Sequence, residues 1–179
     1  MWGWFGLLPL AIDSVLYLRN IDFTAERSVG GYETRHMILH GCCATEASWS
    51  TVLSRFPHLE TLLFFETEVE DLVLKLKALP TPIRRVHIFE HDYEIDRYRA
   101  KARHVLPRLE SFTYTLLSSA ESEPQTHANA GPDRDALAEV QQIVELIIDA
   151  PQCTFKYVRA TKSPEDALAD ALAAFKLDL

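Results

Sequence analysis

Cysteine is scarce in this chain: Cys42 and Cys43 are adjacent, and Cys153 stands far from both. That spacing excludes the disulfide framework by which small secreted domains hold together, and it points to a reducing compartment, cytoplasm or nucleus. Basic residues are short as well. Lys and Arg number 18 against 26 Asp and Glu, a formal charge of −8, so no chain-wide footprint for nucleic acid is expected. Long apolar runs are missing. The most apolar stretch, Met1 to Ile12, is too short to span a bilayer and has no Lys or Arg ahead of it and no small-residue cleavage site behind it. It reads as a hydrophobic edge packing on the first structural unit, or as the cut end of a longer chain, in preference to a cleaved signal; no membrane partner is expected. Catalytic motifs are also lacking: there is no G-x-S-x-G elbow, no G-x-G-x-x-G, no P-loop and no H-E-x-x-H. Neither an enzyme nor a cofactor is expected.

What is present is apolar material in a rhythm. A hydrophobic fraction of 47% in 179 residues suffices to bury one sizeable core, so 1–179 reads as a single domain. β-prone segments with apolar residues two apart recur at Leu16/Leu18, Met37/Leu39, Leu62/Phe64, Val86/Ile88, Phe112/Tyr114 and Phe155/Tyr157. In three of them another apolar residue stands three positions earlier, at Leu59, Ile83 and Leu109, which makes an L-x-x-L-x-L core. The period is roughly 20 to 29 residues, the leucine-rich range, once one insertion is set aside. That insertion, 118–132, is rich in Ser, Ala and Pro with no long aliphatic residue, and reads as a flexible loop.

Proline punctuates the same rhythm. Leu8-Pro9, Phe56-Pro57, Leu79-Pro80, Leu106-Pro107 and Ala150-Pro151 each precede a β-prone segment, and proline ends a helix while biasing its neighbour toward extended geometry. The intervals carry helical stripes: Ala47, Val52 and Leu53 within Thr45 to Arg55; Val69, Leu72, Leu76 and Leu79; Ile95, Tyr98, Ala102 and Val105 within Tyr93 to Leu106; and Leu137, Val140, Val144, Ile147 and Ile148 within Asp133 to Ala150. Ser163-Pro164-Glu165-Asp166 starts a last helix with an N-cap, a proline and acidic residues in its first turn. Between Arg19 and Thr34 the Gly30-Gly31 pair predicts a loop instead.

Strand and helix therefore alternate, which predicts an α/β fold: a short leucine-rich-repeat-like solenoid arc of about six parallel strands alternating with helices. An ordinary doubly wound α/β sheet is the alternative. The arc is favoured because the strands alternate rather than run continuously apolar, leaving one face open, and because the units are shorter than a usual βαβ.

The phrase Thr34 to Cys43, a helix ending in Leu53-Ser54-Arg55-Phe56-Pro57, and then His58-Leu59-Glu60-Thr61-Leu62, resembles the degenerate leucine-rich repeats of fungal F-box proteins. Leu106-Pro107-Arg108-Leu109-Glu110-Ser111-Phe112 repeats it, and the likeness covers Tyr32 to Leu117 best. The resemblance implies a protein-interaction module that recognises substrates for ubiquitin ligation. It places Cys42 at the Cys/Asn position of the repeat, with a role in packing or turn bonding. Before His40 the sequence reads as a strand and a loop, not as F-box helices, so binding to a Skp-type adaptor is not carried over.

Several clusters could carry chemistry. His36, His40, Cys42 and Cys43 lie close together, but a zinc site needs about four ligands at characteristic spacing, and structural roles are expected for them. His87, Glu90, His91 and Asp92 sit at a strand's end, where α/β proteins place sites. A small enzyme or ligand-binding domain near Glu90-His91-Asp92 is the alternative function. The basic run Arg97, Arg99, Lys101, Arg103 and His104, with Arg84 and Arg85 nearby, spreads charge around a helix and reads as a solvated surface with acidic docking as a minor use. The leading expectation concerns the open sheet face. If Leu62 and Phe64 point inward, alternation turns Leu63 and Phe65 outward, together with Tyr17, Arg19, His36, His40, Arg85, His87, Phe89 and Thr113. Such a mixture of aromatic, His and Arg side chains is what protein interfaces favour. A helix or the N-terminal apolar segment lying over Leu63 and Phe65 would instead remove the site.

Overall fold

Proline sets the turns from which the strands start. The computed structural model describes residues 15–23, 33–43, 45–65, 72–90, 103–117 and 136–174. In Phe56-Pro57-His58-Leu59, Leu106-Pro107-Arg108-Leu109 and Ala150-Pro151-Gln152-Cys153, proline takes the second position of a four-residue turn, where its fixed φ suits the geometry. The N–H groups of Leu59, Leu109 and Cys153 close these turns by donating to the carbonyls of Phe56, Leu106 and Ala150 at 3.1, 3.2 and 3.0 Å. Ile83 donates to Pro80 in the same way at 3.0 Å.

The strands in chain order are β1 (Val15–Arg19), β2 (His36–His40), β3 (Thr61–Phe65), β4 (Arg85–Glu90), β5 (His104–Val105), β6 (Ser111–Leu117), β7 (Ile148–Asp149) and β8 (Thr154–Ala160). Six of them form one parallel sheet in the order β1-β2-β3-β4-β6-β8, while β5 and β7 make a separate parallel pair. Within the large sheet, each strand pairs with the next member of that sheet along the chain. A doubly wound sheet reverses its order at a switch point, and this one does not.

Register follows the apolar pairs. Leu16, Met37, Leu62, Val86, Phe112 and Phe155 stand in one row across the sheet, and Leu18, Leu39, Phe64, Ile88, Tyr114 and Tyr157 in another. These rows pack under α1 (Glu46–Leu53), α2 (Leu72–Ala78) and α3 (Ala136–Ile147) to form the main core. Thr45 caps α1, its Oγ1 accepting from the Ser48 N–H at 3.2 Å. Trp49 rather than Ala47 is the buried anchor of that helix: its ring lies 5.3 Å from Phe23 and 5.6 Å from Phe64, whereas Ala47 faces solvent. Truncating a buried aromatic of this kind to alanine costs about 3–5 kcal/mol.

Two helical expectations run too long. His104 and Val105 are extended, and the Leu106 N–H donates to the Asp149 carbonyl at 3.0 Å, so the helix expected through Leu106 does not reach it. The pairing of β5 with β7 likewise ends α3 at Ile147. In both places a proline follows within three residues and favours extended backbone before it. Residues 93–102 of the helix expected from Tyr93, the loop 118–132, the Met1 to Ile12 segment with Leu8-Pro9, and Gly30-Gly31 lie outside the described residues.

The last helix, α4 (Pro164–Ala174), starts as expected, with Ser163 Oγ accepting from the Asp166 N–H at 3.2 Å. It packs on the opposite side of the sheet from α1, α2 and α3. There Ala167 joins a second cluster with Ile38, Leu63, Phe65, Phe89 and Leu117.

Candidate functional site on the outer sheet face

Strand alternation turns every second residue away from α1, α2 and α3, and parallel register lines these residues up in rows. One row reads Val15, His36, Thr61, Arg85, Ser111 and Thr154; the next Tyr17, Ile38, Leu63, His87, Thr113 and Lys156; the third Arg19, His40, Phe65, Phe89, Thr115 and Val158. All the residues expected to bind a partner fall on this one face. The face itself is not open as expected. Leu63, Phe65 and Phe89 are 0%, 1% and 2% exposed, packed with Ala167 of α4, so they form a second core rather than a contact surface. The physical reason is that a continuous apolar patch of this size stays in water only at a cost, and a helix with an apolar stripe relieves it.

What stays accessible is the polar part. Arg19 and Lys156 are exposed, and Tyr17, His36, His40, Arg85, His87 and Thr113 are partly so. The described strand residues of this face include no Asp or Glu, although the chain as a whole carries −8. The strand surface taken alone is therefore basic, with the acidic α4 lying on it.

Its histidines are held in place. His40 Nδ1 and Tyr17 Oη are 2.7 Å apart, and the His40 ring meets Phe65 edge-on at 4.9 Å. Burial pushes the Tyr17 hydroxyl above its usual range. His87 lies flat on Phe89, ring centroids 3.8 Å apart, and its Nε2 is hydrogen-bonded to Thr115 Oγ1 at 2.9 Å. Burial, aided by Lys156 in the same row, drives the His87 pKa down to about 3, so this imidazole is neutral at physiological pH. Thr115 is itself buried, which makes the pair a packing hydrogen bond rather than an accessible nucleophile and base. Burial also lowers the His36 pKa, with Arg85 acting in the same direction. His36 Nδ1 and Thr61 Oγ1, neighbours in one row, are buried without a hydrogen-bond partner.

No family model, curated protein or solved structure matches the chain. What the face can do follows from its own chemistry: cations, imidazoles and hydroxyls beside a sealed apolar patch, a surface suited to an acidic partner.

The remaining clusters resolve differently. Cys42 is buried, and its thiol contacts the carbonyl oxygens of Leu18 and His40 at 3.5 Å each, a packing and turn-bonding role. Gly41, at φ 57°, makes the turn that carries it there. Among the described residues no group of three or more His, Cys, Asp or Glu is placed to hold a metal ion. Nor is any described helix long and apolar enough to cross a membrane. Of the basic run, Arg97, Arg99 and Lys101 lie outside the described residues; His104 is partly buried, its Nε2 2.7 Å from the Leu79 carbonyl oxygen, and is no part of a solvated helix. His91 and Asp92 also lie outside them.

Glu90 is described, and both its oxygens are engaged on the core side of the sheet. One pairs with the ammonium of Lys75, and the other accepts from the Tyr114 hydroxyl at 2.6 Å. Lys75 went unrecognised as a buried residue. The signal was there: it sits three residues after Leu72 and one before Leu76, on the apolar stripe of α2.

Proposed function

We propose that this protein is an interaction module rather than an enzyme, and that the polar part of its outer sheet face takes a protein partner bearing acidic groups. Charge carries this reading: Arg19, Arg85 and Lys156 share a face with three imidazoles and no carboxylate among its described strand residues, within a chain of net charge −8. Sheet order supports it, since the strand sequence has no reversal where an α/β enzyme opens its ligand crevice. The engagement of Glu90 by Lys75 and Tyr114 weighs against the alternative of an enzyme centred on Glu90-His91-Asp92. The resemblance to F-box leucine-rich repeats makes the role of such a module substrate selection for ubiquitin ligation; adaptor binding is no part of the proposal. Three free cysteines fit a cytoplasmic or nuclear setting.

The test is affinity capture from the protein's own cell extract with the full chain beside an Arg85→Glu, Lys156→Glu variant, both checked for fold by circular dichroism. The reversed charges should lose the acidic partners that the parent retains. Identical partner lists would remove this face from consideration.

A further inference from the structure

Among the described helices, α4 stands alone on the outer face, and it is lightly held. α1, α2 and α3 press Trp49, Leu53, Leu76, Val144 and Ile147 into the main core at 0–1% exposure. α4 contributes Ala167 at 5%, while its Leu168 and Leu172 stay partly exposed. Among the described side chains of α4, Ala167 is the buried apolar one, and a helix held by few buried apolar contacts opens at low free energy compared with the core helices. Its charge is as one-sided as the face beneath. Pro164–Ala174 carries Glu165, Asp166 and Asp170, all exposed, and no Lys or Arg; Lys162, just ahead of the helix, pairs with Asp170, and the Ser163 hydroxyl donates to Asp166 at 2.9 Å. The face carries Arg19, Arg85 and Lys156 and no carboxylate among its described strand residues.

We infer that α4 is an exchangeable occupant of the outer face, and that the partner this face accepts is an acidic amphipathic helix with a small-residue and leucine stripe like that of Ala167, Leu168 and Leu172. The inference rests on the interaction reading above and names its partner's chemistry. A helix laid into an apolar groove and flanked by complementary charge is an established recognition mode. Here the groove floor is Ile38, Leu63, Phe65 and Phe89, which cluster with Ala167, Leu168 and Leu172 while α4 is docked and become a contact surface only when it leaves. While α4 is docked, an incoming helix binds only the open fraction of molecules, so its apparent affinity drops by that fraction.

The experiment uses the full chain and a fluorescent peptide of residues 161–179, followed by anisotropy. In a Leu168→Asp, Leu172→Asp variant the resident helix is undocked, and the peptide should bind about tenfold or more tightly than it binds the parent. Adding Arg85→Glu and Lys156→Glu should weaken that binding, and a scrambled peptide of the same composition should bind neither form. Failure of the peptide to bind the folded double-Asp variant overturns the inference. Hydrogen exchange on the unaltered protein tests it without any substitution: α4 amides should exchange well ahead of those in α1 and α3, and equal protection overturns it. A wild-type dimer held by exchanged α4 helices would assign the face to a second copy and overturn the partner assignment. If α4 fails these tests while the reversed charges at Arg85 and Lys156 still change the captured partners, the interaction reading stands without it.

Discussion

Lys75 of α2 and Glu90 at the end of β4 form an ion pair on the core side of the sheet, the lysine side chain fully buried and the glutamate side chain 14% exposed. The Tyr114 hydroxyl completes the cluster by donating to the other Glu90 oxygen at 2.6 Å. Such a group ties a helix to two adjacent strands, β4 and β6, but two charges taken out of water recover little more than their desolvation cost.

That balance makes a directional prediction. Lys75→Ala strands a carboxylate and should destabilise the fold by about 3–5 kcal/mol, whereas Lys75→Met combined with Glu90→Leu should recover most of the loss. Urea denaturation of Lys75→Met, Glu90→Leu and the double variant, with Lys75→Ala beside them, measures it. A double variant no more stable than the worse single would mean that the pair is a net source of stability.

His87 makes stability depend on pH. Its folded pKa of about 3 lies far below the usual value of 6.5, because burial disfavours the imidazolium. Between those values the unfolded chain binds a proton that the folded chain refuses, so stability falls as pH drops from 6.5 toward 3 and is fully present above 6.5. Lowered by burial as well, His36 adds in the same direction. His87→Gln keeps a partner for Thr115 and removes the titration, so its urea midpoint should fall less than the parent's between pH 7 and pH 4. Parallel slopes for the two proteins would contradict the burial of this ring.

How much of this could be read from the residues depends on range. The pairs Leu16/Leu18 to Phe155/Tyr157 marked the strands and their register, because apolar residues two apart have to meet their counterparts in one layer. Ser163 marked the start of α4, since a cap is a local device. What covers a face is a long-range fact, so the apolar character of Leu63, Phe65 and Phe89 was visible while the helix packed against them was not assigned to it. Two-residue strands such as β5 and β7 have no period to detect. Trp49 and Lys75 are absent from the expected stripes for a related reason: a helix of two turns fits more than one apolar stripe, and tertiary packing chooses between them.

Cysteine chemistry separates cleanly by burial. The Cys42 thiol is wholly buried, and desolvation pushes its pKa up to about 11, so it is protonated and shielded at neutral pH. Cys43 and Cys153 are partly exposed. Alkylation with iodoacetamide at pH 8, read by mass spectrometry, should label Cys43 in the native protein and leave Cys42 unmodified until urea is added. Cys153, whose thiol burial also raises to about 11, should lag behind Cys43. Labelling of Cys42 at the same rate with and without urea would be incompatible with its placement.

Arg35, Glu60, Arg84 and Glu110 follow one another across neighbouring strands just before the ladder begins, a run of alternating charge that looks like a device for setting register. The backbone already does that. The Arg35 carbonyl accepts from the N–H groups of both Glu60 and Thr61 at 2.8 and 3.0 Å, and the Arg84 carbonyl from those of Glu110 and Ser111 at 2.7 and 3.1 Å. The side chains meet in solvent: Arg35 and Glu60 at 3.8 Å with 61% and 35% exposure, Arg84 and Glu110 at 3.4 Å with 51% and 59%. Water and salt screen such pairs to about 0–1 kcal/mol. Leu109, next to Glu110 in the chain, is 1% exposed inside the main core, and its truncation to alanine costs about 2–5 kcal/mol. Urea titrations of Arg84→Ala and Leu109→Ala should therefore differ severalfold in lost stability, with added salt leaving both nearly unchanged. A loss at Arg84 equal to that at Leu109 would transfer the register from the backbone and the apolar rows to the charges.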